Sequence, residues 1–445
     1  MDLALQGFLT IGAFLGLILF ARVPVTVALI LVPLISVFIG GQAEDVGVMA
    51  VDGLKTVAPV AAMMMFAILY FGLMIDVGLF EPLVKGLLRL VQDDPVRLCV
   101  VTAILPMLVA LDGDGATTFL ISVTALLPVH RRLGVKPLVL PTIIGLSAGV
   151  MNLLPWGGPT ARAMSALEAG VDEIFTPVAP AMLAGIAWVL LAAGFLGWRE
   201  RRRLAPAGGL RNNRPPPEVG ASEIDGSAPA GRMNALFWIN LGLTVLLVVL
   251  LFQDLYAQWV PLPKMPAPLL FMTAFVIALP INRRTAKAQQ EQLAAHAGNV
   301  VMVITMICAA GVFAGIMNGA GLITAMAQAA ATNMPAFAVP WLSGIVAVTG
   351  MPMSLVFTPD AYYFGVLPVF AETAAAVGHD PAAIGRAAIL GQMTTGFPLS
   401  PLTASTFILI GLSQVSLRDH QKHMFLWAFG TTLVMTAVAA LTGAL

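Results

Sequence analysis

Long apolar runs separated by short clusters of charge set the plan of this chain, and the run lengths predict its elements. Runs at 3–20 and 24–41, parted by Arg22-Val23-Pro24, read as two spanning helices joined by a tight turn, because crossing a bilayer takes roughly 20 apolar residues. A polar loop over 42–55, a span at 57–78 and an amphipathic interfacial helix at 79–96 follow. Residues 97–129 differ. Two uncharged arms, each too short to cross, flank Leu111-Asp112-Gly113-Asp114-Gly115-Ala116-Thr117-Thr118. They predict a re-entrant hairpin whose acidic, glycine-rich tip sits at membrane depth, where irregular backbone survives only inside protein or beside a watery cavity. The run at 138–168 is interrupted by Asn152-Leu153-Leu154-Pro155-Trp156-Gly157-Gly158-Pro159, which predicts an unwound middle. A span at 177–198 completes this half.

Residues 199–232 turn abruptly to Arg, Pro, Gly, Ser and Glu, with Pro215-Pro216-Pro217 among them, and predict a disordered linker. Spans follow at 233–252 and 267–281, then an amphipathic piece at 282–296 and a span at 299–317. A second hairpin at 336–371, a broken helix at 386–413, a charged stretch at 418–423 and a final span at 424–443 end the chain. The expected organisation is N-terminal scaffold helices (1–56), a first repeat (57–198) holding an inner hairpin (97–129) and a broken helix (138–168), and the linker (199–232). Scaffold helices of the second repeat (233–298) and the second repeat itself (299–445), with an outer hairpin (336–371) and a broken helix (386–413), complete it.

The halves resemble each other. Phe71-Gly72-Leu73-Met74 aligns with Ala314-Gly315-Ile316-Met317, and the same offset pairs Pro155 with Pro398 and Thr160 with Thr403. Within the hairpins Leu127-Pro128-Val129 pairs with Leu367-Pro368-Val369, and Thr118 with Thr358. An odd number of crossings between the halves makes the repeat inverted, and inverted repeats with matching broken helices mark a secondary transporter with its site at the repeat interface. The fold class is thus an all-α polytopic membrane protein of two inverted-topology repeats with re-entrant hairpins and broken helices, an elevator-type ion transporter fold.

Composition agrees: 59% of the 445 residues are hydrophobic and 10% charged. Net charge is zero and no basic patch carries interleaved aromatics, so nucleic acid is excluded as a partner. Cys99 and Cys308 lie in apolar runs and read as packing residues, and Met1-Asp2-Leu3-Ala4 lacks the basic start of a cleaved signal peptide. If the linker is cytoplasmic, all of the 23 lysines and arginines fall on that side except Lys55, Lys264, Arg386 and the intramembrane Arg162. That places the N-terminus outside and the protein in the cell (inner) membrane as a multi-pass chain. The five histidines, in charged or interfacial surroundings, read as solvated.

Four interruptions are expected to converge near the midplane, each leaving backbone N–H groups at a half-helix start where an anion is favoured. The substrate-binding set is Thr117, Thr118, Asn152, Gly157, Gly158, Thr160, Arg162, Thr358, Ser400 and Thr403. A hydroxyl in such a place can instead bond back to its own helix. Asp112, Asp114 and Asp360 are the proton-coupling or metal residues. Asp112 and Asp114 suit either proton uptake or ligation of a hard divalent cation, or simply cap the helix that follows. Arg162 suits a bidentate carboxylate grip or a salt bridge to a protein acid, and Asp360 a helix cap or a place in the site.

LDGDGATTFLI at 111–121, MNLLPWGGPTARA at 151–163, AHAGN at 295–299, DAYYFGVLP at 360–368 and the run from Ser400 to Lys422 resemble the CitMHS family within the ion transporter superfamily. The resemblance runs nearly end to end apart from the linker. It implies a proton-coupled secondary importer of citrate, or a related tricarboxylate, complexed with a divalent cation (Mg²⁺ or Ca²⁺), with no permanently bound cofactor. It implies too a homodimer in the lipid bilayer, with a scaffold domain and a moving transport domain. Where the wider group carries Ser-Asn-Thr at its hairpin tips, this inner tip carries Asp112 and Asp114. Thr358-Pro359-Asp360 and Phe407 stand where family members often have Pro-Asn-Asp and His. A metal-independent di- or tricarboxylate symporter is the alternative. An intramembrane aspartyl protease is remote, because Leu111 stands where its signature needs glycine. The chain is not expected to be an enzyme.

Overall fold

The computed structural model describes residues 2–91, 93–112, 115–205, 235–253, 265–333, 335 and 338–445. Gln92, Gly113, Asp114, the greater part of the expected linker, 254–264 and 334, 336 and 337 lie outside it, as does the side chain of Asp112. Lipid supplies no partner for backbone N–H and C=O groups, so an apolar chain satisfies them within helices, and among the described residues there is no strand. The first half comprises α1 (Leu3–Leu19), α2 (Val25–Gly40), α3 (Val46–Asp76), α4 (Glu81–Leu90) and α5 (Pro95–Val109). It continues with α6 (Gly115–Arg132), α7 (Val139–Met151), α8 (Gly158–Leu167), the short α9 (Val171–Ile174) and α10 (Ala179–Leu204). The second half repeats the order with α11 (Ala235–Leu251), α12 (Ala267–Asn282), α13 (Ala286–Gly319), α14 (Leu322–Asn333) and α15 (Leu342–Met353). After a π-helical segment (Ala361–Val366) come α16 (Leu367–Ala376), α17 (Pro381–Ile389), α18 (Ala404–Ser413) and α19 (Leu417–Leu441).

Matching local chemistry starts and ends matching elements. Asp94-Pro95 opens α5, the Asp94 carboxylate accepting from the Val96 N–H at 3.2 Å, and Asp380-Pro381 opens α17 the same way at 2.9 Å. The half-helices α8 and α18 both stop on a left-handed residue, Glu168 and Gln414. Three boundaries differ from expectation. The polar stretch 42–55 is helical from Val46, and 282–296 is the start of one 34-residue helix capped by the Thr285 hydroxyl on the Ala288 N–H. Ala, Lys, Gln and Glu there are good helix formers and no proline intervenes, so the helix runs past the polar segment. The divisions at 56/57 and 298/299 therefore fall inside continuous helices. Likewise α10 continues to Leu204, tied down by Glu200, whose carboxylate accepts from the Lys136 N–H and from Arg203.

The pair α3 and α13 forms the centre, with α2, α12, α8 and the π-helical segment against it. Gly311, Gly315 and Gly319 of α13 lie one turn apart; the first two admit the backbone of α3 and the third the Met49 side chain. A Cβ on Gly53 would fall 2.0 Å from the Gly311 carbonyl, and one on Gly315 would fall 2.3 Å from that of Met49. Small residues at this spacing let membrane helices approach to backbone contact. The offset that pairs Gly72 with Gly315 also pairs Met49 with Gln292, Gly53 with His296 and Asp76 with Gly319. An inverted repeat requires that Gly53 against Gly315 be mirrored by His296 against Gly72, and Met49 against Gly319 by Gln292 against Asp76. Both mirrored contacts exist. A Cβ on Gly72 would meet the His296 ring at 2.6 Å, and Gln292 Nε2–H donates to Asp76 Oδ2 at 2.5 Å. The pseudo-twofold axis passes between these helices, one end of their crossing apolar and the other polar.

Candidate functional site

Two unwound segments and two hairpin tips meet in one place. In the first break, between α7 and α8, Gly157 is extended, and any side chain there would strike the Asn152 carbonyl 1.9 Å away. The Thr160 hydroxyl donates to the Leu153 carbonyl at 2.8 Å, which satisfies an acceptor freed by the unwinding. Buried Trp156 donates its indole N–H to the Leu111 carbonyl at 2.8 Å, fixing the first break to the inner hairpin tip. Its ring stacks on Phe71 of α3 and meets Phe271 of α12 edge-on.

The second break, 390–403, leaves more carbonyls to satisfy, and distant side chains reach in for them. His420 Nε2–H donates to the Pro398 carbonyl at 3.0 Å and Gln421 to that of Leu399 at 2.9 Å. The Thr406 hydroxyl takes the Phe397 carbonyl, and the Tyr363 hydroxyl donates to that of Gln392 at 2.9 Å. Met393 is left-handed at φ 57°, an uncommon backbone state for a side-chain-bearing residue.

The breaks touch each other where the Asn152 carboxamide donates to the Met393 carbonyl at 3.1 Å. Beside it, a Cβ on Gly149 would lie 2.6 Å from the Thr394 carbonyl and one on Gly158 would lie 3.0 Å from Met393 Cε. The inner hairpin closes on the second break through Gly115, pressed against the Phe397 ring, and Phe119, stacked on it at 5.4 Å. The outer hairpin closes on the same break through Ser354, whose hydroxyl oxygen accepts from the Met393 N–H at 3.2 Å and which hydrogen-bonds Gln392. Between outer tip and second break lies a crevice too tight to admit a water molecule, lined by Ser354, Pro359, Gln392, Ser400 and Thr403 among others.

Arg162 locks the outer hairpin to the first break. Its Nε–H donates to Asp360 Oδ1 at 2.7 Å, Nη1 to the Gly158 carbonyl at 3.1 Å, and Nη2 lies 3.6 Å from the Met306 sulfur. The salt bridge to a protein acid, one of its two sequence readings, is the arrangement present. The Thr358 oxygen accepts from the Ala361 N–H and that of Ser400 from the Leu402 N–H, so both bend their own turns. Thr403 lines the crevice, Thr118 is fully buried and Thr117 half-buried at the inner tip. Asp114 and the Asp112 carboxylate lie outside the described residues, and among the described residues no group of three acids, histidines or cysteines is placed to hold a metal.

The solvated reading of the histidines is corrected for four of the five. His130 and His420 are buried, His130 sharing a 2.9 Å hydrogen bond with Thr102. His423 meets Thr142 at 2.8 Å, and His296 meets Asp76 at 2.7 Å. Each lies on the inward face of a helix whose outward face carries the charges that suggested solvent; His379 alone of the five is exposed. Trp156, Gln392, His420 and Gln421 were missed as site residues. Only their nearness to a helix break, or to the charged stretch 418–423, hinted at them.

The model of the CitMHS family, described as citrate transporter, matches residues 15–391. A citrate transporter of Bacillus subtilis (strain 168) is 45% identical over 441 residues, spanning 99% of each chain. From the same organism, a Mg(2+)/citrate complex secondary transporter is 41% identical over 444 residues, covering 100% of this chain and 99% of its own. Among solved structures, the Alcanivorax borkumensis YdaH transporter superposes with a TM-score of 0.59 at 15% identity, over 100% of this chain and 98% of that one. The Neisseria gonorrhoeae protein MtrF does so with a TM-score of 0.62 at 12% identity, over 91% and 85%. These two share the fold. The family is one of transporters rather than enzymes, which removes the protease reading, and this multi-pass membrane chain is a member of the CitMHS citrate transporter family.

Proposed function

We propose that this protein imports citrate, or a closely related tricarboxylate, as a complex with a divalent cation such as Mg²⁺ or Ca²⁺, coupled to protons, by alternating access. The observation that carries the reading is the convergence of both hairpin tips and both unwound segments on Asn152, Met393 and Phe397, in a chain of this family. Half-helix starts and hydroxyls gathered there suit a carboxylate-rich cargo. The relative named for Mg(2+)/citrate supports carriage of the metal with the acid. Thr117, Thr118, Asn152, Gly157, Gly158, Thr160, Ser400 and Thr403 serve the cargo, and Asp112 and Asp114 its metal or the coupled proton. Arg162 reaches substrate only by leaving Asp360, so that ion pair opens and closes the outer hairpin during the cycle; Thr358 shapes that tip. The α3 and α13 pair belongs to a static scaffold of a homodimer, past which hairpins and broken helices move. Lysine and arginine placement supports an inner-membrane protein with the N-terminus outside and the linker cytoplasmic.

Uptake of labelled citrate into proteoliposomes, with and without Mg²⁺ or Ca²⁺ and with an imposed proton gradient, tests this. Uptake requiring both the cation and an inward gradient is the expected result. Equal uptake in chelator transfers the assignment to a metal-independent carboxylate symporter, and uptake indifferent to the gradient removes the proton.

A further inference from the structure

Gln392 presents a feature that packing does not explain. Its side chain is fully buried, its main-chain N–H bonds the Ala388 carbonyl at 3.0 Å, and its carbonyl accepts from the Tyr363 hydroxyl at 2.9 Å. The Ser354 oxygen accepts from the Met393 N–H at 3.2 Å, and of the two acceptors its hydroxyl hydrogen can reach, the Gly350 carbonyl at 3.4 Å and Gln392 Oε1, the second is the nearer. With that oxygen on Ser354, the NH₂ is the free arm of a carboxamide whose residue lines the crevice between outer hairpin tip and second break. There Gln392 Nε2 has no hydrogen-bond partner, and neither does the buried Thr403 Oγ1 on the same lining. A buried donor left unpaired is costly, and cores rarely keep one without a use for it.

The other lining groups indicate what the donor is for. Ser400 spends its oxygen on the Leu402 N–H, which leaves its hydrogen to give. Thr403 precedes α18 without capping it through its side chain, so its hydroxyl is also available. Among the described residues no acid lines the crevice, whose other residues are Phe357, Pro359, Met393 and Phe397. Three donors with no carboxylate among the described lining residues, at the start of a helix, favour an oxyanion.

We propose that Gln392 is a substrate-binding residue whose carboxamide N–H donates to a carboxylate oxygen of the transported acid, with Ser400 and Thr403 completing the cradle. The proposal rests on the transport reading above and adds to it a residue that links cargo to gate. Through Ser354, the same side chain holds the outer hairpin. The crevice as it stands is too tight for a water molecule, so the carboxylate enters as the tip lifts from Gln392.

The test compares wild type, Gln392→Met, which keeps the volume and removes the amide, and Gln392→Glu, which places a like charge against the cargo. Metal–citrate uptake by proteoliposomes is measured over a concentration series, together with the shift in thermal unfolding midpoint given by citrate and by tricarballylate, each with and without Mg²⁺. Gln392→Met is expected to raise KM about tenfold with the maximal rate within about threefold of wild type, and to lose most of the ligand-induced shift. Gln392→Glu is expected to abolish uptake at neutral pH and to regain part of it in acid, as its carboxyl protonates. An unchanged KM and an unchanged ligand shift in Gln392→Met, even with a lower intrinsic midpoint, overturns the proposal and leaves the amide a packing group. If wild type shifts with either acid irrespective of metal and Gln392→Met does not, the metal-complex reading falls and the carboxylate role of Gln392 stands. A wild type that no carboxylate stabilises or enters overturns both.

Discussion

The two ends of the α3 and α13 crossing are related by the repeat, yet they are built from opposite chemistry. At one end the backbone of Met49 and Gly53 meets Gly315, and the apolar Met49 side chain lies against Gly319. At the other, the equivalent positions are Gln292 and His296 against Gly72 and Asp76, where a carboxylate gathers an imidazole and a carboxamide on one oxygen. Arg283, whose Nε–H donates to Gln292 at 2.9 Å, extends that chain of contacts to the edge of the helix. The helix spacing is set by glycine at both ends, but of the paired positions compared, only Asp76 and His296 can respond to protons or ions. The repeat therefore dictates geometry and leaves chemistry free to differ.

The glycine end is the place to break this comparison. Gly315→Leu puts a branched side chain where a Cβ alone comes within 2.3 Å of the Met49 carbonyl and 2.8 Å of Gly53. Main chain cannot swing aside as a side chain can, so the helices must separate, at a cost of about 1–3 kcal/mol or more. Loss of a monodisperse folded protein on size-exclusion chromatography is expected. Gly242→Leu on α11, where nothing lies within 4 Å, is expected to behave as wild type.

The polar end is more forgiving, since what faces Gly72 is an imidazole. Gly72→Val meets that ring at 2.6 Å, and the ring can rotate away only by giving up Asp76. A lower thermal midpoint, by about 1 kcal/mol of stability, is expected. Adding His296→Ala makes room and is expected to recover much of the loss, so a double-mutant cycle reads out the contact. Simple additivity of the two substitutions removes the claim that Gly72 exists to seat His296.

The same contrast measures how much could be read from the residues. The inverted repeat, the hairpins and the breaks were legible because proline, paired glycines and run length report directly on backbone. Gly311-Val312-Phe313-Ala314-Gly315 stood open to view, but nothing short of the fold tells which helix such a stripe admits. Arg162 could be narrowed to two partners and not to Asp360, 198 residues away. Gln392 and the His420–Gln421 pair escaped notice because their value lies in carbonyls and donors exposed by an unwinding elsewhere. Charge near 418–423 pointed toward solvent, whereas helical periodicity turns two of those residues back onto the second break.

The smallest effect is expected at Asp76, and its smallness is informative. Its carboxylate is 34% exposed and the His296 ring 17%, so solvent screens the pair and its worth is under about 1 kcal/mol. Asp76→Asn keeps the shape and still offers an oxygen to Gln292 and His296, so thermal unfolding is expected to move little, and less at high salt than at low. A structural pair at this end predicts uptake as robust as the fold. A pair that serves the transport cycle predicts that Asp76→Asn, folded and stable, slows uptake well beyond its effect on stability. Gly242→Leu, equally well folded, does not slow it. Measuring both variants in the same vesicles separates the two, because only the second outcome requires the broken symmetry of this helix pair to be used.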